Sequence, residues 1–360
     1  MTPQDIPRRI PLASQCVEVL REGLERGRWS GFLPGERLLA AELGVGRGTL
    51  RLALAELEGQ GWLEGGGRQR RCIRIVPEPV QKEEPVPVIG VLSPIPLAKQ
   101  SSLLASMVDT LRERIGRTGG VLQFHCRARC FSERPDRALA ELTVSHPATC
   151  WLVLGSREPM QRWFCERRIP CLVVGSGSPS IRVPSVDIDH RATCRHAVAM
   201  LRRKGHRHIC VVLRDGGYGG DLESEAAARE VVAGDPAACV SVIRHDGTAG
   251  HLRTLLDATL SRQDRPTAYL VGGPGYVVMV LTHLMRRGLR IPEDAALVAR
   301  DDAPFLELTS PQVARYTVEP GRLVRKVEAA IRRLMERGVP EPAAMRIIAE
   351  FVSGETVESF

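Results

Sequence analysis

The stretch that decides the fold is "ELGVGRGTLRLALAEL", residues 42–57, in which apolar residues recur at helical spacing behind a glycine-rich start. One face of this helix would carry Leu50, Leu54 and Leu57. A shorter helix is expected just before it, in "GERLLAAELG", where a glycine ends the apolar pattern. Two helices joined by a glycine-containing turn predict a helix-turn-helix.

The arginines at the start of the second helix suit a negatively charged partner. Arg47 and Arg51 lie four residues apart on one face, where long side chains can reach base edges in a major groove. Gly48 lets the backbone approach closely, and Thr49 can bond a phosphate or cap the helix. The alternative interpretation is that the arginine pair is only the solvated face of a small helical bundle.

The flanking segments complete a small domain. "LASQCVEVLREGLERG" predicts a helix before the pair, and "WLEGGGRQRRCIRI" predicts two short strands around a three-glycine turn. Arginines stand beside this turn at Arg68, Arg70, Arg71 and Arg74. A narrow glycine tip flanked by arginines suits insertion into a minor groove, where negative potential is concentrated.

The run "LPGERLLAAELGVGRGTLRLALAELEGQGWLEGGG" resembles the winged-helix signature of the GntR family of bacterial transcription regulators. The matching positions are Leu33, Pro34, Glu36, Arg37, Leu39, Leu43, Gly44, Val45, Arg47, Thr49, Arg51, Leu57, Glu58 and Gly61. The resemblance implies DNA contacts from Arg37, Arg47 and Arg51, with Gly67 and Arg68 at the wing tip. Glycines at 35, 46 and 48 replace hydroxyl residues usual in the family, which would weaken phosphate binding.

A change of composition separates this segment from the rest of the chain. "VPEPVQKEEPVPV", residues 76–88, contains four prolines and no glycine, as a semi-stiff spacer does. Beyond it, short apolar runs alternate with amphipathic segments, which indicates βαβ units and parallel sheets. The sequence therefore predicts a winged helix-turn-helix (α+β) domain at 1–75, a linker at 76–88 and an α/β domain at 89–360.

The α/β region resembles the effector domain of LacI-type regulators, which is itself similar to periplasmic sugar-binding proteins. The supporting runs include "VPSVDIDHRATCRHAVAMLRRKGHRHICVV" and "RRGLRIPEDAALVARDDAPF". The resemblance implies two lobes with a small-molecule effector in the cleft between them. It places Asp301 where sugar hydroxyls are commonly bound, and Gly273 with Pro274 where an Asn-Asp pair is usual.

The nature of the effector stays open at this point. Sugar sites often use an aromatic platform, and aromatic residues are only 4% of this chain. A sugar, a different small molecule, and a vestigial cleft that serves only dimerisation are all compatible with the sequence.

Other function classes find little support. None of the ten cysteines forms a CxxC pair or a zinc-ligand spacing, so neither a metal nor a cofactor is expected. No catalytic motif appears, and a fusion to a lysine-dependent enzyme would have to use Lys99, Lys204 or Lys326, each in a poor context. The absence of a secretion signal opposes a secreted solute receptor, and no apolar run predicts a membrane span.

Charge favours a paired DNA-binding unit. The chain has a net charge of +8, but residues 1–75 hold 12 arginines against 9 acids, so one module would bind DNA weakly. We therefore expect a homodimer that binds a double-stranded DNA operator. The resemblance to bacterial transcription regulators implies, in addition, a cytoplasmic repressor without catalytic residues.

Overall fold

The computed structural model describes residues 11–65, 70–74, 86–337 and 344–357. The chain divides into two compact units, Met1–Val86 and Pro87–Phe360. Gly67 and Arg68, predicted at the wing tip, lie outside the described residues, as does most of the predicted linker. The first strand of the second unit begins at Val88, one residue before the predicted start of that domain.

The first unit is a three-helix domain with a small hairpin. Its elements are α1 (Leu12–Glu25), α2 (Glu36–Leu43), α3 (Arg47–Gly59), β1 (Leu63–Glu64) and β2 (Cys72–Ile73). The two strands pair antiparallel. The leucines that were predicted to face inward along α3 are buried, and they pack with the apolar faces of α1 and α2. The periodicity of the sequence thus predicted this core correctly.

The second unit alternates strands and helices. In chain order they are β3 (Val88–Ser93), α4 (Ser102–Arg117), β4 (Val121–Cys126), α5 (Asp136–Ser145), β5 (Cys150–Leu154), α6 (Glu158–Glu166), β6 (Cys171–Val174), β7 (Ser185–Ile188), α7 (His190–Arg203), β8 (His208–Arg214), α8 (Gly219–Val232), β9 (Cys239–His245), α9 (Ala249–Leu260), β10 (Ala268–Val271), α10 (Pro274–Arg286), β11 (Ala296–Ala299), β12 (Ala314–Thr317), α11 (Pro320–Arg337), β13 (Ala344–Ile347) and β14 (Glu350–Val352).

These strands form two six-stranded sheets, one in each lobe. The first lobe has the order β13-β7-β6-β5-β3-β4 and the second has β14-β12-β11-β10-β8-β9. All neighbours are parallel except β12 and β14. The chain crosses between lobes after β7, after β12 and between β13 and β14, so its last two strands complete one sheet each.

Burial on both faces explains the apolar strands. Six of the short apolar runs form central strands: "VIGVLS", "CWLVLG", "CLVVGS", "ICVVLR", "AYLVGG" and "ALVAR". Helices cover each sheet on both sides, and separate apolar clusters fill the two faces. Ligands of such sheets are expected at the carboxyl ends of the strands, where the two lobes face each other.

Candidate nucleic-acid interface and ligand cleft

The turn between α2 and α3 is built from glycines. Gly44 ends α2 with φ 65°, a left-handed conformation that favours glycine. Gly46 is the extended N-cap of α3, and no side chain caps this helix. Thr49 therefore does not act as a cap, which was one of its two predicted roles. The first turn of α3 keeps its N–H groups available for an oxygen acceptor such as a phosphate.

The arginines predicted to contact DNA are on the surface. Arg37, Arg47 and Arg51 are all exposed, and Gly48 is exposed beside them. Within the part of the chain that the structure describes, the guanidinium groups of Arg37 and Arg47 have no hydrogen bond or ion pair. Arg51 instead donates to Glu36 at 2.8 Å. The described surface thus presents available positive charge at the start of α3 and in the first turn of α2.

A carboxylate organises the rest of this surface. Glu36 accepts hydrogen bonds from Arg51 and, at 2.9 Å, from Arg71, which also pairs with Glu58. The bonds from Arg51 and Arg71 lower the pKa of Glu36 below its ordinary value. Arg71 is largely buried, with 14% of its side-chain surface exposed. It therefore holds β2 against α2 and α3, whereas the sequence grouped it with the arginines beside the glycine turn as a candidate minor-groove contact.

The second unit contains a cleft between its two lobes, with a volume of about 680 Å³. This volume lies within the usual range for small-molecule sites. The start of α4 and the ends of β6 and β7 line it from the first lobe. The start of α10, the loop after β11 and the end of β12 line it from the second lobe. Asp301 and Gly273, the two residues predicted for effector binding, both lie in this lining.

The Asp301 carboxylate is hydrogen-bonded to other residues of the second lobe. Its Oδ2 accepts hydrogen bonds from the Gly273 N–H at 2.8 Å and from Arg300 Nε and Nη2 at 3.2 and 3.1 Å. Burial alone would raise the pKa of Asp301, but the Arg300 guanidinium outweighs burial and the pKa is lowered. Gly273 has φ 82°, and a Cβ atom there would lie 2.9 Å from the Tyr276 ring, so only glycine fits this position.

Arg300 was not predicted from the sequence, although it interrupts the apolar run "ALVAR". Its Nη1 donates to Asp221 at 2.6 Å and to Ser224 at 3.0 Å, both in α8. Only 10% of its side-chain surface is exposed. Burial alone would lower the pKa of Arg300, but the carboxylates of Asp301 and Asp221 outweigh burial, and the pKa is raised. The strand end therefore carries a buried ion-pair network.

A second polar group joins the lobes at the other side of the cleft. Asp187, at the end of β7, accepts a hydrogen bond from Ser176 and lies 3.6 Å from His190 Nε2. Burial would raise the pKa of Asp187, but His190 and the hydrogen bonds to the carboxylate lower it. Arg346 of the first lobe donates to Ser176 at 3.2 Å and to Glu223 of the second lobe at 2.6 Å. The contacts of Arg346 could not be predicted from the sequence because its partners lie more than 100 residues away along the chain.

The structure was searched for metal-ligand clusters and for membrane-spanning helices. Among the described residues, no cluster of three or more histidine, cysteine or acidic side chains could hold a metal ion. The described helices include none with the length and hydropathy needed to cross a bilayer. His206 lies just before β8 and bonds to Thr267, whereas His208 begins β8 and bonds to the Asp264 carbonyl and to Ser241.

Comparison with known families assigns both units. Residues 12–72 match the bacterial regulatory proteins of the gntR family, and residues 198–357 match the periplasmic binding protein-like domain. The chain thus joins a segment that matches the gntR family to one that matches the periplasmic binding protein-like domain. After these likenesses we call the first unit the GntR-family domain and the second the LacI-type domain. The gntR match covers α1 to β2, and the periplasmic binding protein-like match covers the strands of the second lobe and the last crossovers.

Similar proteins of known name support the same assignment. Catabolite control protein A of Priestia megaterium is 22% identical over 200 residues, which are 53% of this chain and 53% of that protein. The HTH-type transcriptional repressor CytR of Escherichia coli K12 is 24% identical over 202 residues, which are 52% of this chain and 57% of that protein. The chain thus spans about half the length of these relatives. One is named as a control protein and the other as a transcriptional repressor.

Solved structures share the fold. The transcription regulator CcpA of Lactococcus lactis superposes with a TM-score of 0.66 at 16% identity, covering 76% of this chain and 100% of that one. A regulatory protein of LacI family from Chloroflexus aggregans gives a TM-score of 0.65 at 18% identity, covering 75% of this chain and 98% of that one. These identities establish the two-lobed architecture of the LacI-type domain and nothing about its ligand.

Proposed function

We propose that this protein is a cytoplasmic, sequence-specific DNA-binding repressor that acts as a homodimer and is controlled by a small molecule in the cleft. The GntR-family domain binds the operator, and the LacI-type domain dimerises and senses the effector. A sugar is one candidate effector, in keeping with the resemblance of the domain to sugar-binding proteins. The single observation that carries the proposal is the pair of exposed guanidinium groups, without partners among the described residues, beside the uncapped start of α3.

Each part of this surface has a role in DNA recognition. Arg47 stands at the first position of α3, where a side chain is carried into the major groove when the helix enters by its N-terminus. Arg37 occupies the second position of α2 and offers its charge to a phosphate from the preceding helix. Arg51 reaches DNA by exchanging its bond to Glu36 for one to the nucleic acid. Gly67 and Arg68 are proposed as minor-groove contacts of the wing tip.

Control by an effector follows from the two lobes. A ligand that fills the cleft contacts residues from both lobes, and it stabilises the arrangement in which those contacts are made. It alters operator affinity only by its different affinity for the DNA-bound and free arrangements. Asp301 and Gly273 are the proposed contacts at the strand ends of the second lobe.

A selection from random DNA tests the DNA-binding half. Full-length protein is used to select duplexes from a randomised library, and the enriched site is labelled for fluorescence anisotropy at two salt concentrations. We expect an enriched two-fold-related sequence, bound with strong salt dependence and with two protein chains per duplex. Failure to enrich any sequence would contradict sequence-specific binding.

Two variants separate recognition from net charge. Arg47→Ala removes the exposed arginine at the start of α3, and Arg137→Ala removes an equal charge from an exposed helix of the LacI-type domain. We expect the first to weaken operator binding and the second to leave it unchanged. Equal affinities of the two variants would show that Arg47 does not contact the operator.

A further inference from the structure

The cleft wall carries more negative than positive charge. Its acidic members are Asp187, Asp301, Asp302 and Glu307, and Arg300 is the one arginine or lysine among the described residues that line it. The ion-pair partners behind this wall add Asp221, Glu223, Arg315 and Arg346. Six carboxylates thus face three guanidinium groups, so carboxylates outnumber guanidinium groups by three in this network, in which the His190 imidazole also lies 3.6 Å from Asp187.

Arg300 is not available to receive an anion. Four hydrogen bonds occupy its guanidinium, two to Asp301 and one each to Asp221 and Ser224. A guanidinium has five N–H groups, so at most one remains. Arg315 holds Asp302 and Glu307 from outside the cavity lining. A phosphorylated or carboxylated ligand would therefore enter an acidic cavity without a cation to pair with.

Two polar side chains of the lining have an atom without a hydrogen-bond partner among the described residues. Asp302 uses Oδ1 for Arg315, and its Oδ2 has no partner among the described residues. His190 is a buried lining residue, and its Nδ1 has no hydrogen-bond partner within the described ranges. A buried polar atom without a partner costs free energy, so the wall is incomplete until a ligand or solvent reaches it.

The opposite wall is aliphatic. Side chains that form it include Leu103, Leu104, Val186, Val318 and Leu323. Tyr316 supplies the one phenol or indole-type ring among the described lining residues, and its hydroxyl is bonded to His196 at 2.6 Å. A sugar is commonly bound against an aromatic face with paired donors and acceptors, and on this wall the polar side chains are single hydroxyls such as Ser102 and Ser106.

We propose that the cleft binds a small organic cation: an aliphatic amine whose protonated nitrogen faces Asp302, Asp301 and Glu307 while its hydrocarbon part lies on the leucine and valine wall. An ammonium group donates three hydrogen bonds and accepts none, which matches a surface of carboxylates. This assignment of ligand class rests on the proposed role of the cleft as the effector site. It favours an amine over a neutral sugar or an anion.

The test compares amines with neutral and anionic ligands. 1,4-Butanediol and succinate match 1,4-diaminobutane in size, and glucose matches glucosamine. Full-length protein is titrated calorimetrically with 1,4-diaminobutane, spermidine and glucosamine, and in parallel with 1,4-butanediol, succinate and glucose. We expect saturable heat from at least one of the amines, weakened by added salt. No binding is expected from the diol, the dicarboxylate or glucose at the same concentrations. Absence of binding by all three amines, or equal binding of the diol or glucose, overturns the proposal.

Two variants place the amine in the cleft. Asp302→Asn removes a lining carboxylate that is only partly exposed, and Asp264→Asn removes an arginine-paired aspartate in an exposed loop. The first should weaken amine binding about tenfold, as expected for loss of one close charge contact, and the second should not change it. Glu307→Gln serves as a second cleft variant because its side chain is 60% exposed and its loss is easily tolerated. Unchanged amine affinity in both cleft variants overturns the assignment.

The outcome is distinguishable from failure of the proposed function. Operator affinity is measured with each ligand at saturation. Amine binding that leaves operator affinity unchanged supports the ligand class and contradicts effector control. Release of the operator by glucose, without amine binding, supports effector control and overturns the ligand class.

Discussion

The two units use arginine in opposite ways. In the GntR-family domain, Arg37 and Arg47 are exposed and unpaired within the described structure. In the LacI-type domain, Arg300 is buried and donates to two aspartates and a serine. A free guanidinium can exchange water for phosphate or a base edge, whereas a saturated one holds the protein together. The same residue type is therefore exposed on the proposed binding surface of one domain and buried in a structural network in the other.

The difference also sets the charge of each site. Glu36 is the carboxylate that holds Arg51 and Arg71 on the proposed DNA-binding surface. In the cleft, the acids outnumber the arginines that hold them. A positive surface for a polyanion and an acidic cavity for a small donor can therefore exist in one chain. The net charge of +8 reveals neither.

The largest effect is expected from Arg300. Arg300→Met removes a buried guanidinium and leaves Asp221 and Asp301 without their main partner. Breaking such a pair costs about 3–5 kcal/mol of unfolding free energy. Urea denaturation followed by circular dichroism measures the loss. Arg137→Met, on an exposed helix, provides the control and should give no measurable change. Equal stabilities of the two variants would mean that the Arg300 network does not stabilise the fold.

Arg47 tests the other half of the comparison. Because its guanidinium has no partner to lose within the described structure, Arg47→Ala should leave the melting temperature unchanged. Operator affinity should fall by about 1–3 kcal/mol, the value of one specific base contact. Anisotropy and thermal denaturation measured on the same sample separate the two effects. A large drop in melting temperature would assign Arg47 a structural role instead.

Glu36→Gln sharpens the comparison between held and free arginines. The substitution removes a negative charge and releases Arg51, so DNA binding at low salt should strengthen about two- to fivefold, the order for one surface charge. The gain should vanish in the double variant Glu36→Gln/Arg51→Ala, measured by anisotropy on the same duplex. A gain that persists without Arg51 would trace the effect to the lost carboxylate charge alone.

The smallest effect is a pH dependence of the GntR-family domain. The pKa of Glu36 in the folded state is below the ordinary value of 4.5 because Arg51 and Arg71 bond to its carboxylate. A lowered folded pKa stabilises the domain above the unfolded value, and this stability is lost as pH falls through the folded pKa. Below pH 4.5, the wild type should therefore lose up to about 1 kcal/mol more than Glu36→Gln. The unfolding free energies of the wild type and Glu36→Gln are measured in parallel as the pH is lowered. Equal slopes of the two free energies against pH would contradict this prediction.

Much of the architecture could be predicted from the sequence. The 3.6-residue period placed the buried leucines of α3, and the short apolar runs placed the central strands. Short strands at a sheet edge or after a crossover were harder to predict from the sequence. "ARYT" and "AMRI" carry an arginine each, and their strand character depends on pairing with β11 and β7. A local pattern of four residues cannot specify a partner that lies elsewhere in the chain.

The candidate sites show the same division. Arg37 and Arg47 could be named from the sequence because the helix start and its family signature are local features. Asp301 and Gly273 could be named, but not the bond between them. Arg300 was missed because an arginine after an apolar run looks like an ordinary strand end. Only the fold brings it to Asp221, 79 residues earlier in the chain.

The sequence by itself determined a helix-turn-helix with arginines at its second helix, and an α/β region of buried parallel strands. Periodicity and turn chemistry act within about 20 residues, so they can be read without knowing the fold. Only the tertiary structure decided which charges are free and which are held. The pairing of a charge depends on neighbours from distant segments and on exclusion of water, and both arise when the two lobes pack their strand ends together.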